Sequence, residues 1–266
     1  IFKMKVSIIV PVYNSSSMLK ELVLRVNQTM SNLNFTNNYE LILINDASKD
    51  NSWKIIERLI EQFSFIKGIN LTENFGQHNA IMAGLNNCTG ENIITIDDDL
   101  QHPPEFIPDI LDKLKTNDVC YTNYRNRKHI GWKKFVSSLN NIISSFILNK
   151  SLRIYMSSYR GIVSEIKFKI IQFRNPDVYI DGLIINSTKN IAMISVDHHA
   201  RKHGESNYNL KKLLILWSNM ILNFSFFPFR TASVLGITLK FVIKLIRKKN
   251  IKKQFEISEI KTNDKK

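Results

Sequence analysis

Short runs of consecutive apolar residues alternate, in the first half of the chain, with longer segments whose apolar residues recur every three or four positions. Residues 6–10, 41–44 and 93–96 form the apolar runs, and runs of this length are typical of strands buried on both faces of a parallel sheet. Helical spacing begins at Leu19 and at Trp53, in each case after polar residues suited to helix capping. This alternation predicts an α/β fold in which helices cover both faces of a mixed, mainly parallel sheet.

Each of the three predicted strands ends in polar residues. Tyr13 and Asn14 follow the first, Asn45 and Asp46 follow the second, and residues 97–99 follow the third. Because the carboxyl ends of parallel strands meet at one edge of a sheet, where ligands bind in such folds, these side chains are expected to lie close together. Three polar endings at one edge favour a nucleotide site over three unrelated turns.

Three consecutive aspartates end the third apolar run. Carboxylates this close repel one another and are best tolerated when a hard divalent cation, Mg²⁺ or Mn²⁺, neutralises them. Side chains alternate along a strand, so Asp97 and Asp99 are predicted to point the same way and to bind the cation, with Asp98 opposite and Gln101 as an amide ligand. The alternative is an acidic turn before a helix, because residues 102–105 carry the prolines and the acid of a helix start.

The charge of the chain indicates an anionic partner. Its 266 residues carry a formal net charge of +14 and are 44% hydrophobic, enough for a substantial core. Acidic residues concentrate in the first 120 positions, whereas Lys and Arg dominate from Arg125 onward. No nucleic-acid partner is expected, because the aromatic residues near 217–229 cluster with aliphatic ones and do not interleave with the basic tail. Cys88 and Cys120 have no metal-ligand spacing, and a reducing, cytoplasmic setting is expected.

Four segments resemble the motifs of the family-2 nucleotide-sugar glycosyltransferases of the GT-A (Rossmann-like) fold. They are VSIIVPVYN at 6–14, LILINDASKDNS at 41–52, NFG at 74–76 and DDDLQHPPE at 97–105. DLQHPPE, together with RKHGESNY at 201–208, resembles the branch that includes dolichyl-phosphate mannose synthase and the bacterial polyprenyl-phosphate glycosyltransferases. The resemblance covers about residues 4–230 and implies a glycosyltransferase.

The resemblance also implies roles for the residues at the strand ends. The metal ligands would be Asp97, Asp99 and Gln101, with Mg²⁺ or Mn²⁺ as the cofactor. The nucleotide-sugar donor would contact residues in four motifs: Pro11, Tyr13, Asn14, Asp46, Asn74, Gly76, Asp97 and Asp98. For Asn74 and Gly76 a plain turn before the next helix is the alternative. Four positions depart from the family pattern and leave the base and the sugar open: Ser15 (an acid is common), Asn45 (Asp), Ala47 (Gly) and Gln77 (a basic residue).

The second half of the chain is expected to carry the acceptor, a polyprenyl phosphate. A basic segment and an amphipathic helix resemble those of the family, and the residues that would receive the phosphate are Arg125, Arg127, Lys134, Ser138 and His203. A solvated basic helix face is the alternative for each of them. Residues 157–161, SSYRG, resemble the family's Ser-Gly-Phe-Arg type motif and contain Arg160.

The candidate catalytic residues are Asp99, Arg160, Arg201 and Asp181. Arg160 and Arg201 would stabilise the incoming phosphate, and for Arg160 an ion pair with Glu165 is the alternative. Asp181 lies roughly where other family-2 enzymes keep a catalytic carboxylate, and for it a helix cap is the alternative.

Residues 209–246 are the segment expected to contact a membrane. Their broad apolar face, with lysine and arginine at its margins, suits amphipathic helices lying in the lipid interface; a core-packing helix is the alternative. A spanning helix needs ~20 apolar residues, whereas 231–246 is short and contains Lys240 and Lys244. Close relatives usually continue into two transmembrane helices, so either a longer native chain or a peripheral enzyme is expected. The predicted organisation is a GT-A domain over 1–208, this interface segment, and a basic, disordered tail over 247–266.

The function predicted is metal-dependent, inverting transfer of a sugar from a nucleotide-sugar to an undecaprenyl- or dolichyl-type phosphate. It would take place at the cytoplasmic face of the cell membrane, whose anionic surface attracts the basic tail. One alternative is transfer to a saccharide hydroxyl, which requires a carboxylate base such as Asp181. Another is a nucleotide-sugar-binding protein without turnover. A homo-oligomer is compatible with the sequence.

Overall fold

A computed structural model describes residues 5–35, 38–124, 145, 151–152, 154–196 and 253–263. Within them lie eight strands, six α-helices and a 3-10 turn at Pro104–Phe106. The strands are β1 Val6–Val12, β2 Tyr39–Asn45, β3 Ile66–Leu71, β4 Asn92–Thr95, β5 Val119–Tyr124, β6 Arg160–Val163, β7 Ile191–Val196 and β8 Ile257–Thr262. The helices are α1 Leu19–Asn32, α2 Ser52–Gln62, α3 Gln77–Asn87, α4 Ile107–Lys113, α5 Ser164–Ile170 and α6 Ile180–Ser187.

The strands form one mixed sheet in the order β7-β5-β6-β4-β1-β2-β3-β8. β1 pairs in parallel with β2 and β4, β2 with β3, and β5 with β7, whereas β6 and β8 run antiparallel to their neighbours. The predicted mixed, mainly parallel α/β fold is therefore confirmed. The carboxyl ends of β1, β2 and β4 meet at one edge of the sheet, which we call the carboxyl edge.

Two apolar clusters cover the two faces of the sheet. Ile8 and Leu41 belong to the cluster that packs on α1 and α2, while their neighbours Ile9 and Ile42 belong to the cluster that packs on α3, α5 and α6. This alternation follows from the two-residue period of a strand. Every residue of β1 and β2 is buried, so both strands are mostly apolar, which explains why they stand out in the sequence.

Close packing of α3 on the sheet fixes where this helix begins. A Cβ atom at Gly84 would lie 2.6 Å from Cγ2 of Ile9, so a larger residue there would push the helix away. At the amino end of α3, Gly76 has a φ of 86°, in the left-handed region that favours glycine. These two glycines place Gln77, the first residue of the helix, at the carboxyl edge.

The expectation of a disordered tail over 247–266 is wrong for part of that segment. Ile257–Thr262 forms β8, which pairs antiparallel with β3. The Ser258 hydroxyl donates to the Asn70 carbonyl at 3.0 Å, and Lys261 forms an ion pair with Glu57. The strand depends on a partner far away in the sequence, since Ser258 and Asn70 are 188 residues apart. Local composition therefore does not reveal it.

Among the helices of the described residues, none combines the length and the apolar character needed to cross a membrane. The interface segment expected over 209–246 and the boundary expected at residue 208 lie outside the described residues.

Candidate functional site

The loop after β4 brings two of the three aspartates and a histidine together at the carboxyl edge. Ligand atoms of Asp97, Asp99 and His102 all lie within 4.8 Å of one another. Leu100 has a φ of 58°, and this left-handed residue turns the chain back so that His102 reaches the carboxylates. Two carboxylates and an imidazole form a donor set that fits a divalent cation such as Mn²⁺. Gln101, predicted as an amide ligand, donates its backbone N–H to Asp99 at 3.1 Å.

Three elements hold the Asp97 carboxylate. The Gln77 amide, at the start of α3, donates to Oδ1 at 2.7 Å, and the Ser158 hydroxyl, just before β6, donates to Oδ2 at 2.6 Å. Nδ1 of His102 lies 3.3 Å from Oδ2, and the His102 ring lies 5.4 Å from the ring of Tyr159. Sequence reasoning missed Ser158 and His102, because their approach depends on the antiparallel course of β6 and on the turn at Leu100.

Asp98 faces away from this cluster and ties β4 to β1. Its Oδ2 accepts hydrogen bonds from the backbone N–H of Tyr13 at 3.0 Å and from the hydroxyl of Ser15 at 2.5 Å. Burial raises the pKa of the Asp98 carboxyl group to about 6, although these hydrogen bonds oppose the shift. Ser15, which stands where an acid is common in the family, therefore acts here as a donor to Asp98.

The Asp46 carboxylate holds the loop that precedes α3. It accepts hydrogen bonds from the backbone N–H groups of Phe75 at 2.8 Å and Gly76 at 2.9 Å, and the Asn74 amide donates to the Asp46 carbonyl at 3.2 Å. Burial raises the pKa of Asp46 above its ordinary value, while the two N–H donors oppose the rise. The residues predicted from separate motifs, Asp46, Asn74 and Gly76, are thus in contact.

The ends of β1 and β2 are joined by a second set of bonds. Asn14 has a φ of 55°, accepts a hydrogen bond from the Lys49 N–H at 2.7 Å, and donates its own N–H to Ser48 at 3.0 Å. Ala47 also lies in the left-handed region, with a φ of 50°, which fits the glycine common at this position in the family. Pro11 is buried in β1, whereas Tyr13 is 40% exposed. An exposed aromatic ring at this edge is suited to stacking on a base.

Arg160 and Asp181 pair with each other in the core. Arg160, the first residue of β6, is 2% exposed, and its Nη1 forms an ion pair with Oδ1 of Asp181, which also accepts the Tyr121 hydroxyl at 2.9 Å. The alternative of a Glu165 partner for Arg160 does not match this geometry, because Arg160 pairs with Asp181. The alternative of a helix cap for Asp181 does not match it either, because no side chain caps α6. The guanidinium is therefore buried and already paired.

His78 borders this buried pair. Its ring packs edge-on against Tyr179 at 5.5 Å, and loss of hydration lowers the pKa of His78 to about 4. The Asp181 carboxylate opposes this shift, whereas the Arg160 guanidinium adds to it. His78 is consequently neutral at physiological pH.

The residues predicted to receive the acceptor phosphate lie outside the described residues. They are Arg125, Arg127, Lys134, Ser138, Arg201 and His203.

The sequence of the chain is similar to those of known proteins. Residues 7–170 match the model of the family described as glycosyl transferase family 2. The chain is 33% identical over 236 residues to the undecaprenyl-phosphate 4-deoxy-4-formamido-L-arabinose transferase of Pseudomonas fluorescens (strain SBW25), covering 88% of this chain and 69% of the relative. It is 34% identical over 233 residues to the transferase of the same name from Shewanella sediminis (strain HAW-EB3), covering 87% and 70%.

The fold is also similar to that of a solved enzyme. Glucosyl-3-phosphoglycerate synthase from Mycobacterium tuberculosis, in complex with Mn²⁺, uridine diphosphate and phosphoglyceric acid, superposes with a TM-score of 0.59. The match covers 82% of this chain and 76% of that one, at 15% identity. At this identity the likeness shows a common fold.

Proposed function

The chain belongs to glycosyl transferase family 2, and from this premise we propose that it transfers a sugar from a nucleotide-sugar to a polyprenyl phosphate, with a divalent cation and with inversion. The observation that carries the proposal is the 33% identity, over 88% of the chain, to a transferase named for undecaprenyl phosphate. The cluster of Asp97, Asp99 and His102 at the carboxyl edge supports the cation requirement.

Asp97 and Asp99 would hold the cation, with His102 or Gln101 as a further ligand. A bound Mg²⁺ or Mn²⁺ supplies positive charge that compensates the nucleoside diphosphate as it departs. The protein contributes the fixed position of the carboxylates: Gln77 and Ser158 hold Asp97, and the Gln101 N–H holds Asp99.

The donor would lie across the ends of β1 and β2. There the exposed Tyr13 ring would offer a surface for the base. The loop of Asn74 and Gly76, which Asp46 holds, would border the diphosphate. Asp98 would help to position the Tyr13 ring, because its carboxylate accepts a hydrogen bond from the Tyr13 backbone N–H. These roles explain why polar residues from three separate motifs meet at one place.

The environment of Asp181 favours a phosphate acceptor over a hydroxyl acceptor. A sugar hydroxyl needs a general base, but Oδ1 of Asp181 already bonds Tyr121 and Arg160 in the core. A phosphate monoester has a second pKa of ~6 and is anionic at neutral pH, so that it needs no such base. Its oxygen would attack the anomeric carbon while the bond from that carbon to the diphosphate breaks, and the electron pair leaves with the nucleoside diphosphate.

Arg160 would contribute indirectly to this reaction. Since its guanidinium is buried against Asp181, it supports β6 and the preceding Ser158 from within the core. Direct contacts with the incoming phosphate are proposed for the cationic residues predicted from sequence, of which Arg201 and His203 belong to the motif at 201–208. We place the enzyme at the cytoplasmic face of the membrane, held there by the apolar and basic residues of 209–246.

Transfer by the full chain tests the proposal. The protein is incubated with Mn²⁺, a panel of nucleotide-sugars and undecaprenyl phosphate, in parallel with a panel of saccharide acceptors, and the products are identified by mass spectrometry. We expect one nucleotide-sugar to give a glycosyl-phosphate polyprenol together with free nucleoside diphosphate. Glycosylated saccharide with unmodified polyprenyl phosphate would establish the hydroxyl acceptor, and donor binding without any product would establish a binding protein.

A further inference from the structure

Both oxygens of the Asp97 carboxylate receive a hydrogen bond from a neutral side chain. The Gln77 amide donates to Oδ1 at 2.7 Å and the Ser158 hydroxyl to Oδ2 at 2.6 Å. The two donors come from different parts of the chain, one from the start of α3 and one from the segment before β6. Each carboxylate oxygen has a second lone pair, so both can still face a cation.

These two donors depart from the family pattern described above. Gln77 stands where a basic residue is common, and Ser158 stands at the glycine of the Ser-Gly-Phe-Arg type motif. Among the described residues, no lysine or arginine forms an ion pair with Asp97. Gln77 and Ser158 thus orient the carboxylate without adding a positive charge beside it.

We propose that Gln77 and Ser158 are positioning residues that orient Asp97 for a divalent cation and so strengthen the uptake of that cation by this chain. The inference rests on the proposed function, since it takes Asp97 and Asp99 as cation ligands. Hydrogen bonds to a ligating carboxylate limit its rotation, and loss of such outer contacts typically weakens metal affinity about 10- to 100-fold. Ser158 is half-buried and Gln77 is exposed, so the effect of Ser158 is the larger one.

Mn²⁺ binding to the full chain, measured by calorimetry or by electron paramagnetic resonance without any nucleotide-sugar, tests the proposal. We expect Ser158→Ala to weaken binding about 10-fold and Ser158→Thr, which keeps the hydroxyl, to restore it. Gln77→Ala should weaken binding by a few-fold. Gln77→Lys should weaken it further, because an ammonium group beside Asp97 repels the cation.

Asn86→Ala provides the matched control for the Gln77 variants. Asn86 lies in the same helix and donates its side-chain amide to the Met82 carbonyl at 2.8 Å, away from the aspartates. Its removal should leave Mn²⁺ affinity unchanged. Equal melting temperatures for all variants would show that the fold is intact, and Gln77, being exposed, can be replaced even where changes at Ser158 disturb folding.

The measurements distinguish a wrong metal site from a wrong assignment of the positioning residues. If Asp99→Ala binds Mn²⁺ as tightly as the wild type, or if the wild type binds none, the proposed metal site is wrong and the positioning roles fall with it. If Asp99→Ala loses Mn²⁺ while Ser158→Ala, Gln77→Ala and Gln77→Lys bind it as the wild type does, the metal site stands and only the inference is overturned.

Discussion

The pairing of Arg160 with Asp181 changes how mutations at Asp181 are to be interpreted. Arg160 is almost fully buried, and the Asp181 carboxylate is the charge that compensates it. A variant that removes this charge leaves the buried guanidinium without the counter-charge that it pairs with in the described residues. Lost activity in such a variant would therefore not by itself show that Asp181 is a general base.

Asp181→Asn is accordingly expected to destabilise the protein. Removing one partner of a buried pair typically lowers the free energy of unfolding by about 3–5 kcal/mol. Urea denaturation of the variant measures this change. Glu165→Gln is the control: Glu165 is exposed, so the change there should stay within about 0.5 kcal/mol. Equal unfolding midpoints for Asp181→Asn and the wild type would show that the pair is not what keeps Arg160 buried.

His78 gives the protein a pH-dependent stability. Its pKa in the folded state is about 4, below the ordinary value of 6.5, so the unfolded chain takes up the proton first as pH falls. The contribution of neutral His78 is therefore present above pH 6.5 and is lost as pH falls towards 4, by on the order of 3 kcal/mol.

Melting temperatures of the wild type and of His78→Phe, recorded between pH 4 and pH 7, isolate this contribution. The wild type should lose stability relative to the variant as pH falls. The comparison is needed because Asp98, whose pKa is raised to about 6, titrates in the same range with the opposite sign. Parallel curves for the two proteins would contradict the account of His78.

At the scale of the elements, β8 protects the edge of the sheet. It covers β3, which would otherwise expose unpaired backbone groups next to the buried side chains of Ile69 and Leu71. Truncation after Glu256 removes β8, and we expect the β3 amides to exchange hydrogen faster while the β1 amides stay protected. Hydrogen exchange read by mass spectrometry checks this, and unchanged protection of β3 would mean that β8 pairs with it only weakly.

How far an element can be predicted depends on where its partners lie. β1, β2 and β4 are predictable because burial on both faces favours a run of mostly apolar residues. β6 has no such signal, since it opens with Arg160, whose burial depends on a partner 21 residues further along the chain. β8 alternates between half-buried and exposed residues at the edge of the sheet, so only its pairing with β3 distinguishes it from a polar tail.

Whether a residue of the candidate site can be predicted also depends on how far away its partners lie in the sequence. Asp97 and Asp99 are predictable at the carboxyl edge because they come soon after an apolar strand, although the aspartates lie beyond Thr95, where β4 ends. His102 is not predictable from alternation, because the left-handed turn at Leu100 reverses the chain. Ser158 reaches Asp97 from 61 residues away, through the antiparallel pairing of β6 with β4.

At the scale of the whole molecule, the sheet order explains why one edge holds the chemistry. β1, β2 and β4 run parallel and side by side, so the polar residues that follow them converge. The interior of the domain fixes these residues through Asp46, Asp98 and the Arg160–Asp181 pair. The net charge of +14, concentrated after residue 124, suits a chain that works against an anionic lipid surface.

The central claim is that Asp97 and Asp99 bind a divalent cation needed for sugar transfer to a lipid phosphate. The most direct test is transfer to undecaprenyl phosphate by Asp99→Ala, measured with Mn²⁺ and with excess chelator, beside the wild type and an Asp112→Ala control at an exposed ion pair. We predict that the wild type is active only with Mn²⁺, that Asp112→Ala matches it, and that Asp99→Ala is inactive at an unchanged melting temperature. Full activity of Asp99→Ala, or of the wild type in chelator, would contradict the account.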